Sequence, residues 1–218
     1  MLKEKLDSLV SKQHRLARRL ILRDGFGKVD TVAGVDQAFH ESKIISALVV
    51  CSGKTLEPVE KIHSLSKLTF PYIPTFLSFR EAPAILDAWK KLNNKPDVTL
   101  VDGQGIAHPR GIGLASHVGV LLDVPTIGVA KSWLFGEFKK TSGVNKPGKL
   151  KLGNKQIGWV LRTKAGCNPI FISPGNKVSI KSSLYIVKKC ILEHKLPEPT
   201  RLAHLHANAI KESLKAKK

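Results

Sequence analysis

Asp97-Val98-Thr99-Leu100-Val101-Asp102-Gly103-Gln104-Gly105-Ile106-Ala107-His108-Pro109-Arg110-Gly111-Ile112-Gly113-Leu114-Ala115-Ser116-His117 is the stretch of the 218-residue chain that decides its fold. A short apolar run ends at an acid, a glycine-rich turn follows, and an apolar pattern resumes over 111–122 with helical spacing. Residues 125–130 are then a second short apolar run. Strand, helix, strand in this order is a crossover unit, and strands so uniformly apolar belong to a parallel sheet covered on both faces.

Upstream, 31–39, 43–52 and 55–65 are three apolar or alternating runs separated by short polar turns, which predicts a hairpin-linked antiparallel meander. Residues 2–23 carry leucines at helical spacing among Lys and Arg, and predict an amphipathic helix ended by Asp24-Gly25. A further helix is expected over 79–92, stopped by Asn93-Asn94-Lys95-Pro96. Downstream, the Lys- and Gly-rich stretch 139–155 reads as a mobile basic loop. Strands at 156–163 and 169–172 and helices at 179–194 and 199–216 complete the chain. The expected class is α/β, one domain over 1–218, with a mixed central sheet flanked by helices.

Composition narrows the function. With 42% hydrophobic residues the chain has the means to bury a core. It has no apolar run of the roughly 18–20 residues that span a bilayer and no apolar signal region, so a membrane or secreted protein is not expected and a cytoplasmic one is. Cys51, Cys167 and Cys190 form no Cys-x-x-Cys pair and no disulfide framework. The 36 basic residues against 17 acidic leave a net charge of +19. Residues 1–138 hold 18 basic and 14 acidic residues, whereas 139–218 hold 18 basic and 3 acidic. A polyanion is the natural partner of such a C-terminal third, because each phosphate it neutralises releases counterions. A merely soluble basic surface is the alternative.

The few acids are informative by position. Asp36 follows Val32-Ala33-Gly34-Val35 and Asp102 follows Val98-Thr99-Leu100-Val101, so each is expected near the carboxyl end of a buried strand, where ligand crevices lie. If those strands are neighbours, the two carboxylates face one hard cation, with Mg²⁺ the expected guest. Glu81, near the start of its helix, is the third candidate. Such acids suit metal-assisted phosphodiester hydrolysis; taken singly, each also suits a turn or a helix N-terminus. The turn after Asp102 feeds a helix N-terminus, where anions are held, yet it lacks the Gly-x-x-x-x-Gly-Lys-Ser/Thr of a nucleotide triphosphatase. His108 is a candidate for proton relay or phosphate contact. Lys131, after the run 125–130, is a candidate to neutralise a transition-state phosphate.

Five segments together resemble the endonuclease V family: Val32-Ala33-Gly34-Val35-Asp36; Phe70-Pro71-Tyr72-Ile73-Pro74 with Phe79-Arg80-Glu81; Asp102 through His117; Pro125-Thr126-Ile127-Gly128-Val129-Ala130-Lys131-Ser132; and Leu196-Pro197-Glu198-Pro199-Thr200-Arg201. The resemblance implies an RNase H-like fold and Mg²⁺ dependence, with Mn²⁺ as substitute. It implies hydrolysis of the phosphodiester one nucleotide 3′ to a deaminated adenine, leaving 3′-hydroxyl and 5′-phosphate ends. It assigns Asp36, Asp102 and Glu81 to metal binding and catalysis, His204 to a place near the metal, and His108 and Lys131 to the active site. Pro71-Tyr72-Ile73-Pro74 matches a wedge that enters the duplex, with the flipped base expected against Gly103, Gly113 and Ala130 and with Arg110 among the nucleic-acid contacts. The chain departs from the family pattern at Thr75, where Gly is usual, and at Asn176, which replaces His after Ser173-Pro174-Gly175, a segment expected to be a turn. The expected partner is DNA carrying deaminated bases, bound by a monomer. Two alternatives stand: a ribonuclease acting on inosine in RNA, and a non-catalytic basic nucleic-acid-binding module whose acids are structural.

Overall fold

The computed structural model describes residues 2–139 and 143–216. Among these described residues eight strands form one sheet. The first three, β1 (Thr31–His40), β2 (Lys43–Ser52) and β3 (Pro58–Lys67), are the antiparallel meander. After α2 (Leu77–Trp89) come β4 (Val98–Val101), α3 (Leu114–Leu122) and β5 (Thr126–Ala130), and β1, β4 and β5 run parallel side by side. The chain then adds β6 (Gly148–Leu152), β7 (Lys155–Leu161) and β8 (Ile170–Asn176), all antiparallel, to give the order β3-β2-β1-β4-β5-β8-β7-β6.

Alternation along the central strands divides the core. Val32, Val98, Leu100, Ile127 and Val129 pack on one face with Ile186 and Val187 of α4 (Ile180–Lys189). Ala33, Val35, Leu48 and Val101 pack on the other with Ala82 and Ile85 of α2 and Leu114, Ala115 and Val118 of α3. A period of two on a sheet buried on both faces explains why β4 reads as an unbroken apolar run. The C-terminal helix α5 (Glu198–Ala216) lies across β1 and β2 on the α4 side, through Ala203 against Val49 and Cys51 and through Ala207 against Ala47. Gly34 permits this approach: a Cβ there would stand 2.0 Å from the Pro199 backbone.

Four expectations are corrected. The first helix, α1 (Leu2–Ala17), ends six residues early, because Ile21 leaves to bond β8: its N–H donates to Asn176 Oδ1 at 3.1 Å and its carbonyl accepts from Lys177 N at 2.6 Å. The stretch 139–155, read as a loop, contains β6; residues 140–142 lie outside the described residues. Only Leu150 of that strand enters the core, so its alternation is masked by lysines, which suit an exposed sheet edge. Ser173-Pro174-Gly175-Asn176 is buried strand and not a turn. Pro174 is tolerated there because the β5–β8 register slips between Thr126 and Ile127, leaving a bulge beside it. Asp36, finally, sits mid-strand in β1, although β1 pairs with β4 only as far as Val35, opposite Val101.

Candidate active site

That register brings the two aspartates together. Asp36 and Asp102 each come one residue after a parallel pair, and Asp102 N–H donates to the Val35 carbonyl at 3.0 Å. Lys131, just past β5, closes the group. Its ammonium pairs with Asp102 and lies 3.5 Å from Asp36 Oδ2. Glu81, 6% exposed on α2, is the third acid.

The electrostatics are those of crowded anions. Burial, then the charges of Asp102 and Asp36, push the Glu81 carboxyl up to about 8. Burial and the Asp36 charge push Asp102 up to about 6 against the pull of Lys131. Burial opposes the charge on Lys131, but Asp102 and Asp36 outweigh it and raise its pKa. Desolvated carboxylates that repel one another are the donor chemistry a hard divalent cation satisfies. Among the described residues, however, no three Asp, Glu, His or Cys side chains already stand as a ligand sphere. The lysine ammonium holds the two aspartates instead.

His204, on α5, is oriented by a relay. Its Nδ1 lies 2.7 Å from Asp36 Oδ2, and Asn208 Nδ2 lies 3.0 Å from its Nε2, so the ring turns an Nδ1–H toward the carboxylate. Both ring nitrogens are therefore engaged, and the contact of His204 is with the carboxylate. Asp36 Oδ1 accepts from the Gln37 N–H at 2.8 Å.

Beside this cleft of about 440 Å³ lies a smaller cavity of about 100 Å³, and the two share Tyr72, Leu77, Gln104 and Leu134. Of the segment Pro71-Tyr72-Ile73-Pro74, Tyr72 lines both and is 68% exposed, and Ile73 and Pro74 line the smaller one. The segment is pinned at each end. Arg80 Nη1 donates to the Phe70 carbonyl at 2.7 Å. At the other end the Thr75 carbonyl accepts from Gln13 Nε2 at 2.9 Å, His108 Nε2 at 3.0 Å and Arg110 Nη2 at 2.7 Å. Thr75 itself has φ of 67°, a left-handed conformation rare for a β-branched residue and natural for glycine. Arg110 compensates by bonding Thr75 Oγ1 at 2.6 Å, while its Nε donates to Gln13 Oε1 at 2.5 Å and its guanidinium lies 4.6 Å from the Phe76 ring centre.

The structure thus gathers Asp36, Asp102, Glu81, Lys131 and His204 and places the wedge residues beside them. It does not bring His108 or Arg110 to the carboxylates. His108 has Nδ1 accepting from the Arg110 N–H at 3.2 Å, and burial pushes its pKa down to about 4, so it is neutral. Gly103 and Ala130 line the cleft, and Gly113 the cavity. Sequence reading missed Gln13, Gln104 and Ser173. Ser173 Oγ accepts from the Gly105 N–H at 2.9 Å and so holds the turn after Asp102. Gln104 was visible inside the glycine-rich turn, whereas nothing local marks Gln13, fully buried on an otherwise charged helix. Asn176 lies away from the cleft, its Nδ2 donating to the Gly119 carbonyl at 3.0 Å.

Comparison with known proteins points the same way. The family model for endonuclease V matches residues 14–205. The endonuclease V of Dictyoglomus thermophilum is 44% identical over 204 residues, covering 92% of this chain and 89% of that protein. That of Protochlamydia amoebophila is 45% identical, covering 94% and 89%. The solved Bacillus subtilis endonuclease V superposes with a TM-score of 0.92 at 33% identity, covering 97% of this chain and 94% of that one. Ciona intestinalis endonuclease V, solved with a DNA containing an inosine followed by a ribo-adenosine, superposes with a TM-score of 0.87 at 30% identity, covering 97% and 99%. By sequence, by fold and by acids gathered where β1 and β4 part, the chain belongs to the endonuclease V family.

Proposed function

We propose that the chain is a metal-dependent endonuclease that recognises hypoxanthine in DNA and hydrolyses the phosphodiester one nucleotide 3′ to it, leaving 3′-hydroxyl and 5′-phosphate ends and opening a repair event. The observation that carries this reading is the cluster Asp36, Asp102, Glu81 and Lys131 beside a cavity lined by an exposed tyrosine. A simple binder would have no use for three crowded acids facing phosphate.

In this reading Asp36, Asp102 and Glu81 hold Mg²⁺ or Mn²⁺. A bound divalent ion supplies an activated water and a charge for the leaving oxyanion. His204 fixes the rotamer of Asp36 through its Nδ1–H. Lys131, whose ammonium pairs with both aspartates in the free chain, would present its charge to the phosphate were a divalent ion held between those carboxylates. Tyr72, held between Pro71 and Pro74, takes the place of a displaced base while Arg80, Gln13 and Arg110 keep the wedge from recoiling. Arg110 and His108 act by holding the wedge and not by touching phosphate.

The basic C-terminal third supplies the grip. Lys139, Lys149 and Lys151 line a groove of about 470 Å³ at the β6 edge, joined to Lys131 by the segment 132–138. We propose that the chain acts as a monomeric single domain in the cytoplasm. Among the described residues no helix is long and apolar enough to cross a membrane.

The test is a nicking assay on an oligonucleotide with one deoxyinosine. Cleavage is expected with Mg²⁺ or Mn²⁺ and not with a chelator. Asp36→Ala and Asp102→Ala are each expected to cut at least about 10³-fold more slowly while still binding DNA. Full activity in both variants would overturn the assignment. Matched RNA substrates decide between deoxyinosine and inosine in RNA.

A further inference from the structure

The cavity beside the wedge holds two polar atoms that the protein leaves unsatisfied. Gln104 is 8% exposed and Ser78 is 3% exposed, both line the cavity, and among the described residues neither Gln104 Oε1 nor Ser78 Oγ has a hydrogen-bond partner. Leaving a buried acceptor unpaired costs about 1–3 kcal/mol. Such groups are uncommon in folded proteins, and here two fall in one small cavity. The orientation of the Gln104 amide is not free: its Nε2 donates to the Ser132 carbonyl at 3.0 Å, which only the nitrogen can do, so the oxygen is the atom left over.

Deamination of adenine converts ring N1 from an acceptor into an N–H donor and the 6-amino group into a carbonyl. A fixed side-chain acceptor therefore accepts hypoxanthine and faces the lone pair of adenine N1 with its own. We propose that Gln104 is a specificity-determining residue, its Oε1 accepting the N1–H of a deaminated purine. This rests on the endonuclease reading above and deepens it. The same amide that reads the base ties down Ser132, the neighbour of Lys131, and Gln104 is one of the few side chains shared by cavity and cleft. Base readout and the placement of the ammonium thus meet in one side chain, which the sequence shows only as a polar residue between two glycines.

A double-mutant cycle tests this, with the substrate as the second mutation. The chain and its Gln104→Met variant are compared on duplexes carrying deoxyinosine or 2′-deoxynebularine, a purine with an unprotonated N1, with Mg²⁺ present. The ratio of kcat/KM for deoxyinosine to that for deoxynebularine is expected to fall about tenfold or more in Gln104→Met. A general loss of structure would lower both substrates together and leave the ratio where it was, and that result overturns the proposal. Should Gln104→Met fail to fold, Gln104→Ala takes its place in the same comparison, with a fall in the ratio supporting the proposal and an unchanged ratio overturning it. Cleavage of neither substrate by the unmutated chain refutes the endonuclease reading itself, an outcome separate from a deoxyinosine activity that is indifferent to Gln104.

Discussion

Thr75 shows how one residue is held against its own preference. A β-branched residue at φ of 67° costs about 1–3 kcal/mol and persists only where its surroundings over-determine it. Arg110 is the largest part of those surroundings, bonding the Thr75 carbonyl, its hydroxyl and Gln13 Oε1. Arg110→Ala strands the Thr75 hydroxyl and Gln13 Oε1, leaving the Thr75 carbonyl to Gln13 and His108, and is expected to destabilise the protein by about 2–3 kcal/mol, read as a drop in Tm. With the wedge slackened, cleavage of deoxyinosine DNA should lose more in kcat than in KM. A variant with unchanged Tm and kcat would show that Arg110 is not the lock. Asp36 and Asp102 were legible in the sequence because a carboxylate that ends an apolar run has no place in a core. The lock was not, because Gln13 and Arg110 are 97 residues apart and each looks locally like a solvated polar side chain. For His108 the sequence offered catalysis, and the structure shows a neutral imidazole tied to the wedge and its neighbour.

At the scale of elements, α5 depends on how it begins. Arg201 makes a two-pronged contact with Glu198, Nε to Oε2 at 2.7 Å and Nη2 to Oε1 at 2.5 Å, in the first turn of the helix. That guanidinium, more than the opposing effect of burial, holds the Glu198 carboxyl below its ordinary value of 4.5. A carboxyl lowered in the folded state contributes stability above its unfolded pKa and loses it as the pH falls through the folded one. Glu198→Gln should therefore lower stability by up to about 1 kcal/mol at pH 7, with the difference vanishing in acid, as measured by denaturant unfolding across pH. A difference independent of pH would mean the pair acts through packing alone. Among elements, the strand–helix–strand unit was legible because β4 and β5 are apolar on both faces. β6 was not, because an edge strand with one inward residue carries no period a sequence can display.

For the whole molecule, the excess of charge and the chemistry are separate. The net charge of +19 lies mostly beyond residue 138, while the acids that crowd the cleft come from β1, α2 and the end of β4. Phosphate contacts position a nuclease without telling it the sequence. Lys149→Ala with Lys151→Ala should therefore weaken binding to inosine-containing and unmodified duplexes by the same factor. It should also flatten the slope of log K against log salt by roughly 1–2. Loss confined to the inosine duplex would place these lysines in recognition instead of grip.

Gly34 ties together two elements far apart in the sequence, β1 and α5. The first strand and the last helix touch through a gap one hydrogen atom wide, at Pro199, five residues before His204 reaches back to Asp36. A single added methyl at position 34 would lift α5 as a lever, with its far arm the imidazole that steadies a carboxylate two residues from the methyl. Damage at position 34 and loss of α5 should then be the same lesion in genetic terms, giving one phenotype from two sites far apart in the sequence.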